Sequence, residues 1–437
     1  MTTRLRSLRH SPVGPVLIMT SVGLVLLLWA LVIPLADRVA STAAVWKSLA
    51  NVAAFSGTIL YCWAVVLSAR WRWTDKLFGG LDRAYHWHHL TGGVSFLLLA
   101  LHPLFLTIRM SGIDPNNLAS LWIFGSNWQI NFGLISIYSM ALVLPATVFL
   151  RMRYQAFLWI HRILGLVFFT GFLHAFLAQG NMVKFLPLWL YMFAFCATAI
   201  YAFVYHTILG SILPGRFLYE VVQATQLGDS VIDIRLEPKG RLMQFIPGQF
   251  AFVGFTGHPL SNEAHPYSMA SNPRDKQLRF VVKVLGDYTA SLLALKPGTS
   301  AQVEGPHGGF SFRNVTARRQ VWIAGGIGVT PFLAMAASLP KRGYHVDFYY
   351  CVVNEAEAHF DTDFQAVAAR NPSFVPHLFC QDKKGFMNAQ FLSKQCDLLR
   401  TDFLICGPPP MMHALHAGLT KLGVSDKHIT YEDFGFR

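Results

Sequence analysis

The sequence predicts a multidomain membrane protein: a bundle of six transmembrane helices, then an antiparallel β-barrel, then an α/β domain on a parallel sheet. Three observations carry this. Of 437 residues 53% are hydrophobic and only 14% charged, against about 25% charged in soluble globular proteins. All apolar runs of membrane length lie before residue 213. After it, short β-like runs alternate with Gly/Pro turns, and then strands alternate with helix-like segments. The expected domains are 1–213, 214–316 and 317–437.

The six apolar segments cover approximately 16–34, 43–68, 88–108, 132–150, 157–178 and 185–209. A helix needs about 20 apolar residues to cross roughly 30 Å of hydrocarbon. The first follows MTTRLRSLRH, but it is long for a signal peptide and lacks a clear cleavage site, so it reads as an uncleaved helix. Arg4, Arg6 and Arg9 precede segment 1. Arg70, Arg72, Lys76 and Arg83 lie between segments 2 and 3, and Arg151 and Arg153 between 4 and 5. The alternate loops carry only Arg38 and Lys47, then Arg109, then Lys184. Positive loops stay inside, which places the N-terminus and, after an even number of crossings, the C-terminal half in the cytoplasm. In a bacterium the membrane would be the inner one.

The net charge of +13 forms no basic helix or tail, so it reports topology rather than nucleic-acid binding. Six cysteines are scattered without a C-x-x-C pair, which argues against zinc, an iron–sulfur cluster or a disulfide framework.

Segment 5 reads HRILGLVFFTGFLH, with His161 and His174 thirteen positions apart and Gly165 four after the first. Segment 3 offers HHLTG, with His88, His89 and Gly92, and then His102. Ionisable groups inside a membrane are costly and mark function. Two levels on each of two helices suggest two bis-histidine b-type haems, about 20 Å apart along the axis. Such a stack lets an electron cross in two hops, and a glycine beside a ligand lets a macrocycle approach the backbone. On an ideal helix His88 lies about 40° from the face of His102 and His89 about 140° away. The same measure puts His161 and His174 on different faces, so His89 stays open as an alternative to His88. A single such histidine reads as a packed or interfacial residue, as do His10, His86 and His206 near the membrane ends. Four at matched spacing do not.

The soluble half carries four motifs in order. In HPYS, His265, Pro266, Tyr267 and Ser268 offer an aromatic ring to lie against a flavin and a hydroxyl to meet its reactive edge. Next, KVLGDYT, with Lys283, Gly286 and Thr289, opens a helix whose N–H groups suit a pyrophosphate. GPHGGF, with Gly308, makes a tight turn closing the barrel. AGGIGVTP, with Gly325, Gly326, Gly328, Thr330 and Pro331, follows an apolar strand and precedes a helix, as in dinucleotide sites. Later ICGPPP places Cys406, Gly407 and Pro408 at a strand end, beside a nicotinamide. Cys406 has no adjacent base and reads as a packing or positioning residue.

Together these features resemble the NADPH oxidase and ferric reductase family over nearly the whole chain. The histidine helices resemble the ferric-reductase-type transmembrane domain, and the C-terminal half resembles a ferredoxin–NADP reductase module. HPYS is similar to the family's flavin motif, GGIGVTP and CGPPPM to its nucleotide motifs, and YEDFGFR to its closing E-x-F, which carries over to Phe434 as the ring covering the flavin. The resemblance implies hydride transfer from NADPH or NADH to FAD. Single electrons would then pass to an inner haem on His88 and His161, an outer haem on His102 and His174, and an acceptor outside the cytoplasm. Oxygen, giving superoxide, and ferric iron are the acceptors implied. Two departures matter. Animal NADPH oxidases carry a further histidine where this chain has Leu106, which weighs against oxygen. YYCVVNEAEAH offers Glu355 and Glu357 but no arginine for a 2′-phosphate, which favours NADH or dual use. The competing readings are a reductase for a periplasmic or membrane-bound acceptor, and a polytopic transporter whose histidines bind a metal or protons.

Overall fold

The computed structural model describes residues 13–150, 152, 154–178, 180–209, 216–256 and 263–432. Phe434, Arg151, Arg153 and His10 lie outside them. The chain separates into two compact units, Ser11–Ile212 and Leu213–Arg437.

The first unit contains α1 (Val13–Val32), α2 (Thr42–Ser68), α3 (Leu81–Ser111), α4 (Trp128–Phe149), α5 (Tyr154–Leu177) and α6 (Leu186–Phe203). Six helices here are long and apolar enough to cross a membrane. Capping side chains start two of them. Ser41 accepts from the Ala44 N–H before α2, and Asn127 accepts from Gln129 and Ile130 before α4, satisfying donors that a helix start leaves open. The third helix begins earlier than residue 88. Gly79 and Gly80, at φ 80° and 141°, end the short helix Arg72–Phe78 and let α3 start at Leu81, so His86–His89 lie inside the helix rather than at its mouth. A π-turn, Val204–Ile208, extends α6.

Helix α2 packs along α3, and α4 along α5. The close approach depends on small residues, as is usual between helices in lipid. A Cβ on Gly57 of α2 would stand 2.9 Å from Leu99 of α3, and one on Gly165 of α5 would stand 2.0 Å from the Phe203 ring of α6. Polar side chains bond across helices: Ser95 donates to the Gly57 carbonyl at 2.9 Å, and Tyr61 to the Leu164 carbonyl at 2.7 Å.

The second unit joins two sheets. The antiparallel sheet has the order β4-β3-β6-β1-β2-β5, with β1 Arg216–Leu227, β2 Val231–Pro238, β3 Phe250–Thr256, β4 His265–Ser268, β5 Leu278–Lys283 and β6 Ser300–His307. The parallel sheet has the order β11-β10-β7-β8-β9, with β7 Arg319–Gly325, β8 His345–Val352, β9 Phe374–Cys380, β10 Asp402–Cys406 and β11 Ile429–Tyr431. The helices beside them include α7 (Asp287–Ser291), α8 (Thr330–Ala337), α9 (Asp361–Ala368) and α10 (Pro409–Lys421). This is the fold class that the sequence predicts.

Trp322, Phe332, Phe348, Phe364 and Phe374 form a fully buried aromatic core against β7 and β8. Burying such a side chain contributes about 1.5–3 kcal/mol. Arg279 of β5 ties the sheets together. It pairs with Asp233 of β2 at 2.8 Å and reaches Asp363 of α9 at 3.3 Å.

Candidate functional site

In the first unit the four intramembrane histidines stand as two pairs. The rings of His88 and His161 lie 5.8 Å apart at 67°, and those of His102 and His174 lie 6.4 Å apart at 64°. A metal about 2.0–2.1 Å from each of two opposed imidazoles would set their ring centres about 6 Å apart, so each pair is spaced as two residues that would hold a metal between them. Among the described residues no group of three or more His, Cys, Asp or Glu is placed to hold a metal ion.

Backbone carbonyls orient three of the four rings. His88 Nδ1 donates to the Ala64 carbonyl at 2.7 Å, His102 Nδ1 to that of Ala50 at 2.9 Å, and His174 Nδ1 to that of Gln129 at 2.9 Å. A carbonyl only accepts, so each Nδ1 carries the proton and Nε2 keeps the lone pair, the arrangement of metal-binding histidines. His161 Nδ1 is buried and has no hydrogen-bond partner among the described residues. His89 is exposed, and its ring lies 5.5 Å from that of His88. Helix α5 runs as α-helix from Tyr154 to Leu177 with no π-turn assigned within it. The two glycines that follow His161 and His88 differ in their surroundings. The Phe203 ring fills the space beside Gly165, whereas Gly92 has only the Ala64 Cβ at 3.8 Å. Gly133 of α4, missed in the sequence, is where a Cβ would come 2.9 Å from His174 Nδ1.

In the second unit HPYS forms β4, an edge strand paired with β3. The Tyr267 hydroxyl is buried without a hydrogen-bond partner among the described residues, and burial raises the phenol's pKa well above its usual range, so it stays neutral. An orphaned buried hydroxyl is the mark of a place where a polar ligand belongs. Ser268, next in the strand, is buried. His265 instead stacks on Tyr288, with centroids 4.0 Å apart, and pairs with Glu263 at 3.1 Å.

The helix after Lys283 is only one turn long. Thr289 Oγ1 accepts from the N–H groups of Leu285 and Gly286 at 2.8 and 3.0 Å, so those two donors cap their own turn. Gly308, at φ 84°, sits where a Cβ would meet Glu432 Oε1 at 2.8 Å and the Phe250 ring at 2.9 Å. Glu432 is buried and is the first residue of the closing E-x-F, of which only Phe434 was carried over as a site residue.

The parallel sheet reverses its winding between β7 and β10. Open α/β sheets bind ligands outside the strand ends at such a point. Gly325 ends β7 there and Gly326, Gly328, Thr330 and Pro331 follow it; Cys406 ends β10, opposite Ala324, and Gly407 and Pro408 follow. Two of the glycines serve the packing of these turns on each other. A Cβ on Gly328 would stand 2.3 Å from the Cys406 carbonyl, and one on Gly325 would stand 2.9 Å from Pro408 Cδ. Gly326, at φ 52°, has nothing within 4 Å of its Cβ position and is the one that faces open space. Cys406 is buried in the core. After β8, Glu355 is held by Lys383 at 2.5 Å; the ammonium keeps the carboxyl below its usual range. A cation from the helical turn after β9 therefore stands beside Glu355.

Three family models match consecutive parts of the chain: a ferric reductase like transmembrane component over 53–172, an FAD-binding domain over 216–326 and an oxidoreductase NAD-binding domain over 322–417. The chain carries a ferric-reductase-like transmembrane component fused to an FAD- and NAD-binding oxidoreductase module. The toluate 1,2-dioxygenase electron transfer component of Pseudomonas putida is 28% identical to it over 222 residues, 48% of this chain and 65% of that protein. A flavohemoprotein of Bacillus anthracis is 27% identical over 245 residues, 50% of this chain and 60% of that one. The chain thus spans less than two thirds of either curated relative. The flavohemoglobin structure of Malassezia yamatoensis, with bound FAD and heme, superposes with a TM-score of 0.50 at 17% identity, covering 90% of this chain and 99% of that one. That likeness concerns fold alone.

Proposed function

We propose that this ferric-reductase-like oxidoreductase carries electrons from NAD(P)H across a membrane, by way of FAD and two bis-histidine b-type haems, to an acceptor on the far side. The observation that carries the reading is the pair of imidazole pairs at 5.8 and 6.4 Å, with Nδ1 of three rings committed to backbone carbonyls. His88 and His161 would hold one haem and His102 and His174 the other, each through Nε2. His88 is favoured over the exposed His89 because its ring is anchored and faces His161.

A flavin and haems held by these residues would supply the means to take up a hydride and pass its electrons on singly. The protein's part is placement. Tyr267 and Ser268 would line the flavin, the turns after β7 and β10 would receive the dinucleotide with Gly326 allowing its approach, and Phe434 would cover the flavin ring. The helix order and positive loops support a cytoplasmic N-terminus and reductase module, in a bacterial inner membrane, with the His102–His174 level towards the outside. Oxygen and ferric iron are the acceptors in view, and a periplasmic or membrane-bound acceptor is the alternative.

The full chain purified in detergent is expected to show low-spin b-type bands in its visible spectrum; a colourless or purely flavin spectrum would sink the reading. Steady-state NAD(P)H oxidation, measured with oxygen and superoxide dismutase against ferric chelates, identifies the acceptor.

A further inference from the structure

Between the short helix Arg72–Phe78 and the end of α6, an open cleft of about 680 Å³ is lined by Trp71, Arg72, Trp73, Lys76, Tyr201 and Tyr205. Trp71 is its hub, with the rings of Trp73, Tyr201 and Tyr205 at 5.8, 5.9 and 6.3 Å. Trp73 also borders a second, apolar groove of about 240 Å³, walled by Cys62 and Val66 of α2 and Phe195 and Thr198 of α6. The groove lies between two membrane-length helices, and the cleft sits at their ends. Arg72 and Lys76 are exposed, and neither has an ion pair among the described residues. Asp75, on the same short helix, is itself engaged.

We propose that the cleft and groove together bind one anionic phospholipid. Its phosphate would lie between Arg72 and Lys76, its glycerol region against Trp71, Trp73 and Tyr205, and one acyl chain in the groove between α2 and α6. Each part of the site matches one part of that molecule. Unpaired cations at a membrane surface attract anionic head groups, aromatic rings prefer the head-group level, and an apolar groove continuous with the cationic cleft suits a tail. A free phosphate would use the cations but leave the groove unused. This inference does not depend on haem or on the electron acceptor.

The test uses the full chain in nanodiscs of phosphatidylcholine containing a minority of phosphatidylglycerol, with co-retained lipid counted by native mass spectrometry. Phosphatidylglycerol is expected to be retained in preference to phosphatidylcholine. Lys76→Gln should weaken that preference about fivefold, and Arg72→Gln with Lys76→Gln should lower it further by a similar factor. Trp73→Ala should reduce retention of either lipid. FAD content and a monodisperse elution profile confirm that each variant is folded, and Lys76→Gln alone, at an exposed position, keeps the test decisive if the double variant fails. Equal retention of both lipids, unchanged retention in Lys76→Gln, or full competition by soluble glycerol phosphate would overturn the proposal. Because the readout is bound lipid mass, it stands or falls separately from the electron-transfer reading.

Discussion

His102 Nδ1 donates to the Ala50 carbonyl at 2.9 Å, and fourteen residues further along α2 the Ala64 carbonyl receives His88 Nδ1 at 2.7 Å. The anchoring carbonyls therefore repeat the spacing of the histidines they orient, about 21 Å along a helix axis. One helix sets both levels on α3. His102→Ala should remove only the haem of its level, halving the pyridine haemochrome signal per FAD. His88→Ala should remove the other, and His89→Ala should leave both. Full haem content in His88→Ala would assign that ligand elsewhere.

Gly133 gives a finer test of the same level. A Cβ there would stand 2.9 Å from His174 Nδ1, the atom bonded to the Gln129 carbonyl. Gly133→Val is expected to retain haem but weaken that hydrogen bond, which lowers the basicity of the ligand. A potentiometric titration should show the midpoint of one haem moved and the other unchanged.

In the nucleotide domain, Gly328 and Gly326 should respond differently to alanine. Gly328→Ala forces a Cβ to 2.3 Å from a backbone carbonyl, an overpacking that costs about 1–3 kcal/mol or more. Gly326→Ala meets no atom but must adopt φ 52°, at about 1–2 kcal/mol. Calorimetry should find the larger fall in Tm for Gly328→Ala. Gly326→Ala should act mainly by raising KM for the nicotinamide nucleotide.

These glycines mark the limit of what the sequence discloses. The six spans, the two sheets and the spacing of His88, His102, His161 and His174 are legible because they follow from length, periodicity and local order. Which glycine yields space to a ligand and which to a neighbouring turn depends on β7 and β10 lying side by side, although about eighty residues separate them. The same holds for Glu432 against Gly308 and for Lys383 against Glu355. The apolar span 88–108 lies within α3, which starts seven residues earlier because Gly79 and Gly80, not the polar run His86–His89, make the break.

Asp347 of β8 is expected to make the folded module acid-sensitive. A hydrogen bond from His377, helped by the nearby charges of His345, His377 and Arg319 and opposed by partial burial, holds its carboxyl below the usual range. A carboxyl depressed on folding stabilises fully above its unfolded value, about 3.9. That contribution is lost as pH falls through the lower folded value. Asp347→Asn should therefore be less stable than the native chain at neutral pH and show a shallower loss below about pH 4. Urea midpoints measured across that range check both limbs.

Nucleotide choice should turn on Glu355 and Lys383. In this sheet the end of β8 adjoins the Gly-rich turn after β7, where an acidic residue meets the ribose hydroxyls of NADH and repels a 2′-phosphate. Lys383 bonds Glu355, so the pair presents a nearly neutral surface instead of a bare carboxylate. Removing the cation by Lys383→Gln leaves Glu355 uncompensated and should lower kcat/KM for NADPH more than for NADH. Removing the anion by Glu355→Gln frees Lys383 for a phosphate and should raise NADPH use. Because both side chains are exposed and screened by salt, shifts of about two- to fivefold in the ratio are expected, and they should shrink at high ionic strength. A ratio that moves the same way in both variants would show that the ribose binds away from this pair.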